Sequence, residues 1–246
     1  MGRVGHDPLS TGPVGHKPRT RVRSDWGAWV PAPVERGLWA TSPERAGRGP
    51  QAPNELGRGV WLDGGMSEVL SFGPALSRPE LLAVPVAAAL REWPGADEIL
   101  VAEIDPTLAD TAAFCEHYGV TPEESANCVV IAGKRGGNTL YAACMVAATT
   151  RADVNGLVRR HLDVRKASFA PVDAVTAATG MEYGGITPIG LPADWPVLVD
   201  EVVAKTGSVV IGSGIRGSKL RLPGRVLAAL ASAQVLPGLG VPAVAG

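Results

Sequence analysis

At 246 residues and 46% apolar side chains, the chain can bury a core of one large or two small domains. Its net charge is only −1: residues 1–65 carry nine Lys/Arg against six Asp/Glu, and residues 66–246 carry fourteen against eighteen, which excludes a protein that grips a long run of nucleic-acid phosphates by bulk charge. Three cysteines (Cys115, Cys128, Cys144) without a C-x-x-C pair argue against a disulfide framework or structural zinc, and the sequence shows neither an eighteen-residue apolar run nor a secretory leader, so a soluble protein of a reducing cytoplasm is expected.

Residues 1–65 hold twelve Gly and eight Pro with no period of 2 or 3.6, and read as a disordered or over-extended leader ahead of Met66. Four of the six tryptophans (Trp26, Trp29, Trp39, Trp61) fall in this stretch. The folded domain is expected over 66–236. Ser77-x-x-Glu80 has the form of a capping box ahead of a helix carrying Leu81, Leu82, Val86 and Leu90, with Pro85 kinking it or shifting its start. Residues 98–104 read as a strand, 108–118 as a helix closed by Gly119, and 127–132 as a buried strand. A glycine-rich turn at 133–137 joins that strand to another over 138–149.

Asp153 is placed to cap a helix to His161, and 171–179 reads as a shorter helix ending at Gly180. Residues 197–203, 208–211 and 218–222 have strand character, a last helix starts at Pro223, and residues from 237 on, rich in Gly, Pro and Ala, are expected to form a flexible tail. Strands and helices mix without strict βαβ alternation. The pattern predicts an α+β domain: a curved, largely antiparallel mixed sheet with helices packed around it.

Several motifs can be set aside. Gly212-x-Gly214-x-x-Gly217 matches the dinucleotide fingerprint, but the alternating Ser218–Leu222 that follows is strand-like where the fingerprint needs a helix. Gly133-Lys134-Arg135 lacks the upstream glycine and the Ser/Thr of a Walker loop, and reads as a solvated hairpin tip or a weak positioning contact for RNA. Cys128 lies in an apolar strand as a core residue, His117 and His161 have no metal-spaced partners, and no G-x-S-x-G elbow exists. Neither a metal nor an organic cofactor is expected.

The most informative stretch is Met181-Glu182-Tyr183-Gly184-Gly185-Ile186-Thr187-Pro188-Ile189-Gly190-Leu191-Pro192. Adjacent glycines with a proline three residues on make either an ordinary surface turn or a stiff loop whose main chain approaches a ligand closely. Arg165-Lys166-Ala167-Ser168 lies upstream, and Ser208–Ile211 runs into Gly212-Ser213-Gly214-Ile215-Arg216-Gly217-Ser218-Lys219 downstream. In this order the segments resemble the YbaK/ProX (EbsC) family of aminoacyl-tRNA editing domains over roughly residues 75–235. Gly184 and Pro188 match the Gly-x-x-x-Pro loop that in this family holds the terminal adenosine and aminoacyl ester.

The resemblance implies trans-editing: deacylation of a mischarged tRNA, with the amino-acid-bearing acceptor end as partner. Main-chain N–H groups around Gly184, Gly185 and Ile186 would position the ester for attack by water, and Pro188 would stiffen the loop. Gly212, Ser213 and Gly214 would form the opposite wall, with Thr187 beside them. Lys166, Arg216 and Lys219 are candidates for holding the terminal phosphate. Many family members carry a lysine at the start of the strand that here begins Ser125-Ala126-Asn127; this chain offers Ala126 or Asn127. Asn127 then becomes the candidate hydrogen-bond donor, and Lys166 the first choice of substitute cation. The alternative, which the absent lysine favours, is a catalytically silent module that binds an aminoacyl or nucleotide-like end.

Overall fold

The structure, a computed structural model, describes residues 70–243, so the expected leader over 1–65 lies outside the described residues. Strand β1 (Gly73–Pro74) is followed by two 3-10 turns, Ala75–Ser77 and Pro79–Leu81, and then by helix α1 (Val84–Glu92). The Ser77 capping box does not form, because neither turn has a side-chain cap. Pro85 lies in the first turn of α1, the one place where a missing N–H costs nothing, and so sets where that helix begins.

Strand β2 (Leu100–Glu103) leads through a 3-10 turn, Pro106–Leu108, to helix α2 (Thr111–Tyr118). The Asp110 carboxylate accepts from the Ala112 and Ala113 amides at the start of α2. Strands β3 (Ala126–Arg135) and β4 (Asn138–Ala147) form a long hairpin. Its two turn residues, Gly136 and Gly137, have φ of 58° and 89°, the positive values that a tight hairpin turn demands.

Strand β5 (Thr150–Ala152) precedes a π-helical turn, Val154–Val158, and helix α3 (Arg159–His161), so the helix expected after Asp153 is wider than an α-helix in its first turn. Strand β6 (Lys166–Phe169) and helix α4 (Val172–Thr179) follow, then β7 (Val197–Asp200) and α5 (Glu201–Lys205). Residues 197–203 are therefore not one strand. Asp200 accepts from the Val202 amide and turns the second half into a helix. Strands β8 (Val209–Gly212) and β9 (Ser218–Leu222), helix α6 (Gly224–Ala228), and strands β10 (Ala233–Leu236) and β11 (Gly240–Pro242) complete the described chain.

A four-stranded sheet runs β1-β2-β9-β8, a five-stranded sheet β10-β7-β4-β3-β6, and a two-stranded ribbon β11-β5. Pairing is antiparallel except for β10–β7 and β4–β7, giving the expected largely antiparallel α+β architecture. A parallel bridge between Ser125 and Val210 links the start of β3 to β8. The main core packs α1 (Val86, Leu90) between the sheets, against Ile211 and Leu220 of one and Met145 and Val197 of the other. A second cluster joins Ile131, Cys144, Val146 and Leu198 to Leu239, which is wholly buried. Over its described residues the flexible tail expected from 237 is thus corrected: Leu239 fills a core site, and β11 pairs with β5. Among the described residues no helix is long and apolar enough to cross a membrane.

Candidate functional site

The Gly184 loop is held at both ends. Helix α4 stops at Gly180, and the Thr179 hydroxyl donates to the Val175 carbonyl and accepts from the Met181 amide, so the chain leaves the helix in a fixed direction. The Glu182 amide then donates to the Gly214 carbonyl at 2.8 Å, and the Gly214 amide to the Gly185 carbonyl at 2.7 Å. A Cβ on Gly185 would fall 2.4 Å from the Ile215 carbonyl oxygen, and one on Gly212 would fall 2.4 Å from the Gly185 carbonyl oxygen. Main chain lies on main chain here, which only glycine allows. The two glycine-rich segments, about thirty residues apart, are thereby brought together as the sequence reading expected.

Beside this contact lies an open groove of about 830 Å³, lined by residues that include Pro106, Thr176, Glu182, Tyr183, Ile215 and Arg216. Arg216 crosses it. Its guanidinium donates to the Tyr183 and Pro106 carbonyls, its main-chain N–H donates to the Glu182 carboxylate at 2.7 Å, and a Cβ on Gly184 would lie 2.6 Å from Arg216 Nη1. A fixed positive charge therefore sits against Gly184.

The amides do not all remain open to a ligand. Gly185 N–H closes a turn onto the Glu182 carbonyl at 3.0 Å, so it is not a reading head, whereas the amides of Gly184 and Ile186 donate to no protein acceptor among the described residues. Thr187 is fully buried, and its hydroxyl has no hydrogen-bond partner among the described residues. An unmade hydrogen bond at such a site costs about 1–3 kcal/mol. Pro188 follows it, and Ile189 is anchored in the main core.

Other expected residues fall differently. Ser213 is wholly buried, and its hydroxyl is engaged with the Ser218 hydroxyl at 2.6 Å and with the Ser218 and Ile215 carbonyls. Ser218 in turn donates to the Leu81 carbonyl, so this pair pins the strand end to the chain ahead of α1 and does not face the groove. Asn127 is near the bridge between the sheets, its side-chain carbonyl accepting from the Thr111 hydroxyl at 2.7 Å. Lys166 is the clearest departure. It pairs across β6–β3 with Lys134, seven residues beyond Asn127, about 23 Å at ~3.3 Å per residue, so Asn127 and Lys166 cannot serve one reacting centre.

Lys219 pairs in register with Gly212 but is only 7% exposed. Its ammonium donates to the Ala109 carbonyl at 2.8 Å and lies 5.3 Å from the centre of the Phe114 ring. Burial pushes its pKa down from 10.5 to about 8, Asp110 and Cys115 acting in the opposite sense and Arg216 adding to the fall. Among the groove residues, Pro106, Thr176 and Glu182 were not singled out from sequence. Glu182 sits inside the glycine motif, but its partnership with a residue thirty-four positions away leaves no local signal.

Burial raises the Cys128 thiol and pushes Cys144 up to about 12, which keeps both as core thiols rather than nucleophiles. No group of three or more His, Cys, Asp or Glu that could hold a metal ion gathers among the described residues.

A family model described as the aminoacyl-tRNA editing domain matches residues 105–230, just over half of the chain and the segment that carries both walls of the groove. Solved structures share the fold. A proposed trans-editing enzyme for prolyl tRNA synthetase is 22% identical over 63% of this chain and 94% of its own, with a TM-score of 0.54. A protein from work on epitope backbone grafting by computational design is 24% identical over 63% of this chain and 95% of its own, also with a TM-score of 0.54. A hypothetical protein is 20% identical over 58% and 90%, with a TM-score of 0.51.

Proposed function

This chain belongs to the aminoacyl-tRNA editing domain family, and on that premise we propose that it deacylates mischarged aminoacyl-tRNA in trans, as a YbaK/ProX-like hydrolase of the cytoplasm. The observation that carries the reading is the loop itself: two uncommitted amides, Gly184 and Ile186, stand on either side of the Gly185 main-chain contact, and the Arg216 guanidinium lies against Gly184. Preorganised N–H groups of this kind stabilise a developing oxyanion without reorganising.

In the proposed reaction a water oxygen bonds to the ester carbonyl carbon, and the carbonyl oxygen takes up negative charge against the two amides. The bond to the ribose oxygen then breaks, and that oxygen leaves with a proton. An aminoacyl ester is already activated, so positioning the water, with help from the neighbouring ribose hydroxyl, suffices without a covalent intermediate. The Thr187 hydroxyl acts as an additional positioning group, Pro188 keeps the loop stiff, Gly212 and Gly214 form the opposing wall, and Arg216 takes the terminal phosphate. Lys219, the register partner of Gly212, is the second cation near this end of the sheet, in place of Lys166.

A second reading is a binding module without turnover. It is favoured by Ala126 and Asn127 at the strand start, where the Asn127 carbonyl is already taken by Thr111 and no ammonium is supplied. A panel of mischarged tRNAs incubated with the full chain separates the two. Release of one amino acid faster than in buffer is the expected result; saturable binding with no release would replace the enzyme with the module.

A further inference from the structure

Away from the groove, a second depression of about 340 Å³ lies at the tip of the β3–β4 hairpin, lined by Lys134, Arg135, the Gly136–Gly137 turn, Arg165 and Lys166, with Thr139 beside them. Its charge arrangement is costly to the free protein. Antiparallel register sets Lys134 directly opposite Lys166, a like-charge pair that destabilises a sheet. The Arg165 amide donates to the Lys134 carbonyl at 3.1 Å, which holds a third cation alongside. One carboxylate, Asp163, pairs with Arg135. Upstream, Arg159 and Arg160 are exposed on α3.

Elsewhere over residues 66–246 the balance is reversed: without the four cations and Asp163, ten Lys/Arg face seventeen Asp/Glu. The positive field of this region is thus concentrated at one end of β3.

We propose that this notch is a phosphate-backbone site for RNA, which seats the duplex stem of the substrate while its charged 3′ end occupies the Gly184 groove. The inference rests on the editing reading above for the identity of the RNA. Lysine and arginine without base-reading partners position a backbone and carry no sequence information. Four cations gathered at one hairpin tip can meet consecutive phosphates of a single stem, whose charges are closely spaced along each strand. The Gly136–Gly137 tip has no side chains, and a Cβ at either glycine would meet nothing within 4 Å, leaving the notch open to a bulky polyanion.

The test uses the full chain and an uncharged RNA minihelix, with affinity measured by fluorescence anisotropy from about 50 to 200 mM salt. Lys134→Ala with Arg165→Ala is compared with a control of equal charge loss, Arg91→Ala with Arg151→Ala, whose residues lie outside the notch. The expected result is roughly tenfold weaker binding at ~100 mM salt for the notch pair, a salt slope shallower by about two, and a smaller change for the control. Thermal melting of each variant confirms that the fold is retained, and a single Lys134→Gln variant with half the slope change serves if the double variant melts early. Equal losses in the two pairs, or an unchanged slope in the notch pair, overturn the proposal. RNA binding lost with the notch but no amino acid released by the wild type would sink the editing reading and leave the notch standing. Release by the wild type with unaltered binding in the notch pair would do the reverse.

Discussion

Thr187 and Lys219 are buried side chains whose placement in the free protein is unfavourable, and each gives a test of stability, Thr187 one of activity as well. The Thr187 hydroxyl is buried without a partner, so Thr187→Val, which keeps the shape and removes the hydroxyl, is expected to leave the melting temperature unchanged or raise it, by about 0–2 kcal/mol in stability. If the hydroxyl positions water or ester, amino-acid release falls about tenfold or more. A purely structural threonine would leave turnover unchanged.

For Lys219 the sign follows from linkage. The folded pKa, about 8, lies below the unfolded value of 10.5, so the unfolded state binds more protons between these values and stability rises with pH across that window. The penalty is fully present below pH 8. Lys219→Met is therefore expected to stabilise the protein by roughly 1–3 kcal/mol at pH 7, with the gain shrinking above pH 8 and absent near pH 10.5. Because the buried thiols of Cys128 and Cys144 act in the opposite direction at alkaline pH, the informative quantity is the difference between variant and wild type in denaturant melts. A gain that does not depend on pH would contradict the account of a strained ammonium.

At the scale of elements, the structure departs from sequence expectation where a short-range signal competes with a long-range one. The alternation over 197–203 has strand period, yet Asp200 caps a helix in its middle; the chain end at 237 looks like tail by composition, yet Leu239 reaches a core cavity formed by β3, β4 and β7. Leu239→Ala should cost about 2–5 kcal/mol in chemical denaturation, whereas a true tail residue would cost nothing. The glycine segments were legible because glycine is demanded by close main-chain approach, and that demand shows in the sequence itself. Lys166 was misplaced because a charge adjoining an alternating strand says nothing about which end of the sheet it occupies. Ser213 was misread for a related reason: its consuming partners, Ser218 and Leu81, are set by tertiary contact.

For the whole molecule, two sheets meet where β3 bridges to β8, and that junction, with α1 beneath it, fixes the loop carrying Gly184 against the strand end carrying Gly212. The overall architecture was readable from the mixture of strands and helices, and the close main-chain contact from its glycines, while the groove beside it, shaped by the Arg216 and Glu182 contacts, depended on the fold. The central claim is that main-chain amides held in this contact do the chemistry. Amino-acid release from mischarged tRNA, measured under single turnover, tests it most directly when Gly184→Val is set beside Gly238→Val. Both glycines have positive φ, but a Cβ at Gly184 meets Arg216 and one at Gly238 meets nothing. The account predicts release by the wild type and by Gly238→Val, and a loss of about 100-fold or more in Gly184→Val alone. Equal release by the two variants, in proteins that melt normally, would contradict it.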